Sequence, residues 1–263
     1  MKQHEKNLVH AIEKFLQRHA KWQVFTDWVQ MMALAISNAV DWRQYKEREA
    51  SYLEIVKKYN KEELDKLCEM MGMLVLALEE EVAGGGPGDV LGPVFHSLEL
   101  HNKWHGQFFT PKTVCDMMAR ISIDRDDKGI REQGYVSVCE PCAGAGAMVL
   151  AFAKAMKECG HNYCENMVAT CVDIDPKCVH MTYVQLALCG IPAVVIHGHT
   201  LTVEEWSRWY TPAYILGGWI RRQHCGMTEV AEAITKQDNK PIGMGYTFFF
   251  DERSENDVRQ SNG

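Results

Sequence analysis

Residues 136–150 read VSVCEPCAGAGAMVL, and this stretch decides the fold. A short β-branched run ends at Glu140 and Pro141, and then Gly144 and Gly146 lead into an apolar run with helical spacing. The pattern predicts a strand, a tight glycine turn and a helix. Backbone amides at such a helix start attract polar groups, and an acid at the strand end can bind a hydroxyl or an amine. A plain turn without a ligand is an equally open alternative here.

A second strand is predicted roughly thirty residues later. Residues 169–176, ATCVDIDP, are apolar and end in Asp173 and Asp175. An acid at the end of the second strand of a βαβ unit commonly binds a ribose diol. A helix over residues 177–188 and a third strand within CGIPAVVIHGHTL (residues 189–201) then predict a parallel sheet.

Composition bounds the class of protein. The 263 residues are 46% hydrophobic and 24% charged, which is typical of a globular protein, and no apolar run is long enough to cross a membrane. The charged, amphipathic N-terminus predicts no signal peptide. Ten cysteines scattered through apolar runs fit a reducing compartment, so we expect a cytoplasmic location.

The formal net charge of −7 bears on partners. A protein that binds DNA by itself usually carries a basic surplus that neutralises phosphates. The acidic balance therefore leaves three alternatives: a partner supplies most of the DNA contact, a local basic face exists, or nucleic acid is not the ligand.

The chain divides by composition. Residues 4–82 have helical periodicity without proline, and AGGGPGDVLG (residues 83–92) is a clear break. We predict an N-terminal helical domain over residues 1–88, an α/β domain over residues 89–225, and a C-terminal extension over residues 226–263 with a polar, disordered tail. The methionines and tryptophans of the helical domain favour core packing over a partner surface.

Several ordered motifs carry a family resemblance. DVLGPVF (residues 89–95), GQFFTP (106–111), EPCAGAG (140–146) and VDIDP (172–176) occur in the order found in adenine-N6 DNA methyltransferases. The chain resembles most the modification subunit of type I restriction-modification systems, over roughly residues 89–201. The resemblance implies a Rossmann-like class I methyltransferase domain that follows the helical domain.

The resemblance also implies S-adenosyl-L-methionine as the cofactor. The GQFFTP box would close over the methionine end of the cofactor, and Asp173 would hold its ribose. His199 stands where the family usually has the aspartate that binds the adenine amine. The cofactor-binding residues implied by these motifs are Phe108, Phe109, Thr110, Pro111, Glu140, Pro141, Gly144, Gly146, Asp173, Ile174 and His199.

The catalytic motif departs from the family pattern. Members of the family have Asn or Asp, two prolines and an aromatic residue, which bind and stack on the flipped adenine. The nearest segment here is residues 211–214, TPAY, so Thr211, Pro212 and Tyr214 are the implied catalytic residues. A hydroxyl offers neither the charge nor the planar acceptor of the missing group. Two functions stay open: an adenine-N6 DNA methyltransferase, which we favour, and an inactive relative that acts as a decoy, binding protein or regulatory subunit.

The length of chain after the third strand bears on the partners that we expect. Only about sixty residues remain after the third strand, with one further strand expected at residues 246–250, so we expect a separate specificity subunit to read the DNA sequence. The helical domain is the predicted contact for a homo- or hetero-oligomer. One segment interleaves aromatic and basic residues, as a single-strand stacking platform does, although buried tryptophans explain it equally well: Trp206, Arg208, Trp209, Trp219, Arg221 and Arg222.

A zinc site is a weaker alternative. Cys139, Cys142, Cys159, His161 and Cys164 have spacings found in zinc sites. Their convergence would consume the glycine turn, which a ligand-binding loop explains better, so we predict no metal.

Overall fold

The computed structural model describes residues 2–15, 18–98 and 109–223. The N-terminal part is helical, as its periodicity predicts, with α1 (Gln3–Glu13), α2 (Lys21–Asn38), α3 (Tyr45–Val56) and α4 (Lys61–Ala83). A capping box starts α4: the Asn60 side chain accepts a hydrogen bond from the Glu63 amide (2.9 Å), and the Glu63 carboxylate accepts one from the Asn60 amide (2.8 Å). Phe25 and Trp28 of α2 are buried, which confirms core packing for these two residues, whereas Trp22 at the start of the helix is 62% exposed.

The remaining elements alternate helix and strand. Three helices precede the sheet: α5 (Leu91–Ser97), α6 (Lys112–Ser122) and α7 (Lys128–Gln133). The others follow in chain order: β1 (Val136–Glu140), α8 (Ala147–Glu158), α9 (Tyr163–Asn166), β2 (Met167–Asp173), α10 (Pro176–Leu188), β3 (Ala193–His199), β4 (Glu204–Tyr210) and α11 (Pro212–Leu216). The chain therefore has a mixed α/β architecture.

The predicted order of strand, glycine turn, helix and strand is present. The four described strands lie in the order β1-β2-β3-β4, and β1, β2 and β3 are parallel. Because α8 lies between β1 and β2 along the chain, and α10 between β2 and β3, these elements form a βαβαβ unit. The carboxyl ends of the three strands consequently meet at one edge of the sheet, which we call the carboxyl edge.

The predicted parallel arrangement of the first three strands is confirmed, and β4 is a further strand that the sequence analysis did not predict. β4 pairs antiparallel with β3, with Val194 opposite Tyr210 and His199 opposite Glu204. Only residues 200–203 connect the two strands, whereas a parallel crossover needs a dozen residues or more. The short connection therefore forms a hairpin, and β4 runs back to the start of β3.

Both faces of the sheet are covered. Val168, Val172, Val194 and Ile196 pack with Tyr214 and Trp219 on one face. The other face packs on α8 and α10 in a core that also includes the N-terminal helices. Residues Met1–His224 form one compact unit, so the division at residue 88 stays a prediction. Residues 224–263, with the strand and the tail predicted there, lie outside the described part of the chain.

Candidate ligand-binding site

The carboxyl edge brings together three groups that the sequence predicted as neighbours. Glu140 ends β1, Asp173 ends β2, and the glycine loop, residues 141–146, lies between β1 and α8. The Gly144 amide donates to one carboxylate oxygen of Asp173 (2.8 Å), and the Asp175 amide donates to the other (2.9 Å). The Cys142 amide donates to Glu140 (3.2 Å). Each carboxylate oxygen keeps a further lone pair that a ligand can use.

The glycine loop needs its two glycines. Gly144 has φ of +56° and Gly146 has φ of +87°, a region in which side chains are strained. A Cβ on Gly144 would lie 3.1 Å from the Phe109 ring, and one on Gly146 would lie 3.3 Å from Thr182. The loop is therefore enclosed by Phe109 on one side and by α10 on the other.

The charge of this edge is acidic. Burial raises the pKa of Asp173, and the hydrogen bonds from the Asp175 and Gly144 amides oppose that rise. Burial likewise raises the pKa of Glu140, opposed by the Cys142 amide and reinforced by the charge of Asp173. Lys177 pairs with Asp175 (3.0 Å). Two partly buried carboxylates beside a bare backbone loop favour a ligand that carries a positive charge and hydroxyl groups over one that carries phosphates.

A cavity of about 170 Å³ adjoins the glycine loop. Its lining includes Asp89, His96, Phe109, Thr110 and Lys112. The Phe109 ring stacks on Phe95 (5.4 Å between ring centres). Pro111 is the N-cap residue of α6. The cavity therefore presents acidic, basic and hydroxyl groups beside an aromatic wall.

The remaining described residues predicted for the cofactor lie along the same edge. Ile174 follows β2 and is 56% exposed, and Pro141 accepts a hydrogen bond from the Thr200 hydroxyl (2.5 Å). His199 ends β3, and its Nδ1 accepts from the Thr202 amide (3.2 Å). Phe108 lies outside the described residues.

The residues predicted as catalytic lie at the other edge. The Thr211 amide donates to the Ala193 carbonyl (3.0 Å), and its hydroxyl accepts from the Ala193 amide (2.9 Å), so Thr211 lies at the start of β3. Asp173 pairs with His197 near the end of β3. A strand of this length separates the two sites by roughly 15 to 20 Å. Thr211 and Asp173 therefore lie beside opposite ends of β3.

The side chains of residues 211–214 make contacts that stabilise the fold. Thr211 is fully buried, donates to the Ile191 carbonyl (2.8 Å) and is the N-cap of α11, while Pro212 is the first residue of that helix. Tyr214 is 6% exposed, and its ring stacks on Tyr210 (5.5 Å). The geometry gives these side chains a packing role.

The aromatic residues of the predicted stacking platform differ in their exposure. Trp209 and Trp219 are buried, and the Arg222 guanidinium lies over the Trp219 ring (3.8 Å). Trp206 is 51% exposed, and Arg208 pairs with Glu205 (2.6 Å). The alternative of buried tryptophans is therefore confirmed for Trp209 and Trp219.

Metal binding has no support in the described ranges. Among residues 2–15, 18–98 and 109–223, no group of three or more His, Cys, Asp or Glu side chains is arranged to hold a metal ion. Cys139 and Cys142 are exposed free thiols, and Cys159 and Cys164 are partly buried.

Two buried polar residues of α10 were not predicted from sequence. Thr182 donates to the Gly144 carbonyl (3.0 Å), and Gln185 donates to the Ala145 carbonyl (2.7 Å). The available signal was a pair of polar residues, three positions apart, within a helix that is mostly apolar.

The βαβαβ unit, the glycine loop and the acid that ends β2 are compatible with a methyltransferase fold. Residues 89–218, just under half of the chain, match the family model for N-6 DNA Methylase. The resemblance to adenine-N6 DNA methyltransferases is confirmed. Neither the curated proteins nor the solved structures gave a match. None of the described helices is long and apolar enough to span a bilayer.

Proposed function

We propose that the domain binds S-adenosyl-L-methionine at the carboxyl edge and transfers its methyl group to the N6 amine of adenine in DNA, as a Rossmann-like class I methyltransferase. The family match supports DNA N6 methylation in general. The observation that carries the choice of cofactor is the acidic edge formed by Glu140 and Asp173 around the glycine loop. This cofactor has an ammonium, a sulfonium and a ribose diol and no phosphate, so it fits an edge that would repel a dinucleotide.

Different residues of the site would bind different groups of the cofactor. Asp173 would accept hydrogen bonds from the ribose hydroxyls, and Glu140 would face the ammonium group. Ile174 and His199 lie where the adenine ring would rest. The cavity beside Thr110 and Lys112 has room for the methionine end. When bound, the cofactor supplies an electrophilic methyl group, and positioning of the acceptor amine would account for most of the rate.

A transfer assay tests the activity. We expect tritium from labelled cofactor to enter unmethylated DNA, supplied as duplex and as single strands, with and without candidate specificity subunits. Incorporation into adenine supports the proposal. Tight cofactor binding without incorporation under every one of these conditions contradicts the proposed reaction and leaves the binding site intact.

A second candidate function is a non-catalytic binding or regulatory protein that keeps the cofactor pocket. The placement of Thr211 and Tyr214 favours it, because these buried residues lie at the edge of the sheet opposite Asp173. The sequence also has no Asn-Pro-Pro or Asp-Pro-Pro segment. Incorporation by the isolated protein would exclude this candidate, whereas its binding to a restriction complex without methyl transfer would support it.

The partners belong to the same proposal. With a net charge of −7, the chain is expected to rely on a separate specificity subunit for most of the DNA contact. The N-terminal helices are the proposed contact for an oligomer, and a restriction-modification system in the cytoplasm is the proposed setting.

A further inference from the structure

α10 directs two buried polar side chains at the glycine loop. Thr182 and Gln185 are both fully buried and are three positions apart, so they lie on one face of the helix. The Thr182 hydroxyl donates to the carbonyl of Gly144 (3.0 Å), and the Gln185 amide group donates to the carbonyl of Ala145 (2.7 Å). Two successive carbonyl groups of the loop thus accept hydrogen bonds from side chains of α10.

Gln185 also holds the segment that starts α5. Its side-chain oxygen accepts from the amides of Val90 (2.8 Å) and Leu91 (3.1 Å), and its nitrogen donates to Asp89 (2.9 Å) as well as to Ala145. The side chain therefore uses its full hydrogen-bonding capacity of two donors and two acceptor sites. The same oxygen of Asp89 accepts from the Gly92 amide (2.8 Å). One buried amide group joins residues 89–92 to the ligand loop.

These contacts add to other hydrogen bonds of the loop, in which the Ala143 amide donates to the Val172 carbonyl (2.9 Å) and the Gly146 amide donates to the Ala143 carbonyl (2.7 Å). Gly144 and Gly146 adopt positive φ, and glycine explores many other backbone conformations when nothing holds it. On the opposite side, Asp173 accepts the Gly144 amide (2.8 Å). The loop therefore lies between Asp173, which also faces the ligand site, and α10, whose buried side chains do not. Because Thr182 is fully buried, its effect on a ligand passes through the loop, whereas Gln185 also contacts Asp89, which lines the adjoining cavity.

We propose that Thr182 and Gln185 are positioning residues that hold the glycine loop in its ligand-binding conformation, and that Gln185 links this conformation to the packing of residues 89–92. The inference rests on the proposed function, because S-adenosylhomocysteine, the product form of the cofactor, is the ligand to be measured. It adds residues that touch no ligand to those that line the site.

The sharpest test compares Thr182→Val with Thr182→Ser by calorimetric titration with S-adenosylhomocysteine. Valine keeps the shape and loses the hydroxyl, so we expect affinity to fall about 3- to 10-fold, the effect of one hydrogen bond. Serine keeps the hydroxyl and should restore most of the affinity. Tyr59→Phe is the matched control, since it removes a buried hydrogen bond to Asp27 (3.0 Å) in the N-terminal helices. It should lower the melting temperature and leave affinity within about twofold of wild type.

The link through Gln185 is tested with Gln185→Met. We expect about 10- to 100-fold weaker binding, because this variant loses one hydrogen bond to the loop, one to Asp89 and two to the amides of residues 90 and 91. All titrations are made well below the melting temperature of every variant. If this variant does not fold, the Thr182 pair decides. Affinity of Thr182→Val within twofold of wild type would overturn the inference.

Hydrogen exchange in the ligand-free protein separates this inference from the proposed function. We expect faster exchange of the amides at residues 143–146 in Thr182→Val than in Thr182→Ser or Tyr59→Phe. If the wild-type protein binds neither form of the cofactor, the proposed function fails, and exchange alone then decides. Equal exchange in Thr182→Val and Thr182→Ser would contradict positioning.

Discussion

At the scale of single residues, Asp173 both stabilises the glycine loop and is a proposed ligand-binding residue. Its carboxylate accepts the Gly144 and Asp175 amides and faces the carboxyl edge. We expect Asp173→Ala to weaken S-adenosylhomocysteine binding about 10- to 100-fold, because hydrogen bonds to a charged acceptor are lost. Isothermal titration measures this change.

Asp126→Ala is the control for this substitution, since Asp126 is an exposed acid paired with Arg131 (2.9 Å) away from the loop. This variant loses the same negative charge but no contact near the loop. Its affinity for S-adenosylhomocysteine should therefore match that of the wild-type protein. Equal affinity of the Asp173 variant and wild type would mean that the cofactor binds elsewhere.

Asp89 predicts a dependence of stability on pH. Burial raises the pKa of Asp89 to about 6, although hydrogen bonds from Gln185 and Gly92 oppose the rise. The folded state therefore binds this proton more tightly than the unfolded chain does. The stabilisation is complete below about pH 4 and is lost as the pH rises through about 6. At neutral pH the ionised carboxylate is a cost to folding.

Asp89→Asn removes this titration and keeps an oxygen that accepts from Gln185. The free energy of unfolding of wild type, relative to this variant, should fall by about 1 to 3 kcal/mol between pH 4 and pH 7. Urea denaturation at several pH values measures the difference, with Asp126→Asn as the exposed control. A difference that stays constant with pH would show that Asp89 titrates at its ordinary pKa.

At the scale of elements, α11 offers a second interpretation of the TPAY segment. A threonine followed by proline is also the pattern of a helix start, with Thr as N-cap and Pro at the first position. Both interpretations fit the sequence, and the hairpin of β3 and β4 favours the helix start. Because β4 is antiparallel, it delivers Thr211 to the start of β3.

We therefore expect Thr211→Val to lower the free energy of unfolding by about 1 to 3 kcal/mol, since the Ile191 carbonyl and the Ala193 amide lose their buried partner. Thr211→Ser should lose much less, because it retains the hydroxyl. Chemical denaturation measures both, and titration of the Thr211→Val protein should show unchanged affinity for S-adenosylhomocysteine. A large loss of affinity would place Thr211 in the ligand site after all.

At the scale of the whole molecule, Arg48 joins the N-terminal helices to the sheet. Its guanidinium pairs with Asp41 (3.0 Å), donates to the Arg208 carbonyl (2.7 Å) and lies over the Trp209 ring (4.0 Å). Arg48 and Asp41 side chains are each 7% exposed. A buried charge that loses its partner is costly, which makes this contact sensitive to substitution.

Arg48→Ala should lower the free energy of unfolding by about 3 to 5 kcal/mol, because Asp41 is left buried and unpaired. The double variant with Asp41→Ala should be less destabilised than the sum of the single changes. Arg131→Ala, at an exposed pair with Asp126, should cost about 1 kcal/mol or less. Denaturation followed by tryptophan fluorescence and by circular dichroism gives these values. A loss for Arg48→Ala no larger than that for Arg131→Ala would contradict a joining role.

The sequence by itself determined the βαβαβ unit and the meeting of Glu140, the glycine loop and Asp173. Those features follow from local periodicity, turn chemistry and the rule that parallel strands end at one edge. The direction of β4, the position of Thr211 and the contacts of Gln185 were decided by the tertiary structure alone. Gln185 bonds to residues 94 to 96 positions away, and Arg48 bonds to one 160 positions away. Such contacts depend on how whole elements pack, because a buried polar side chain takes its partners from whatever the fold brings beside it.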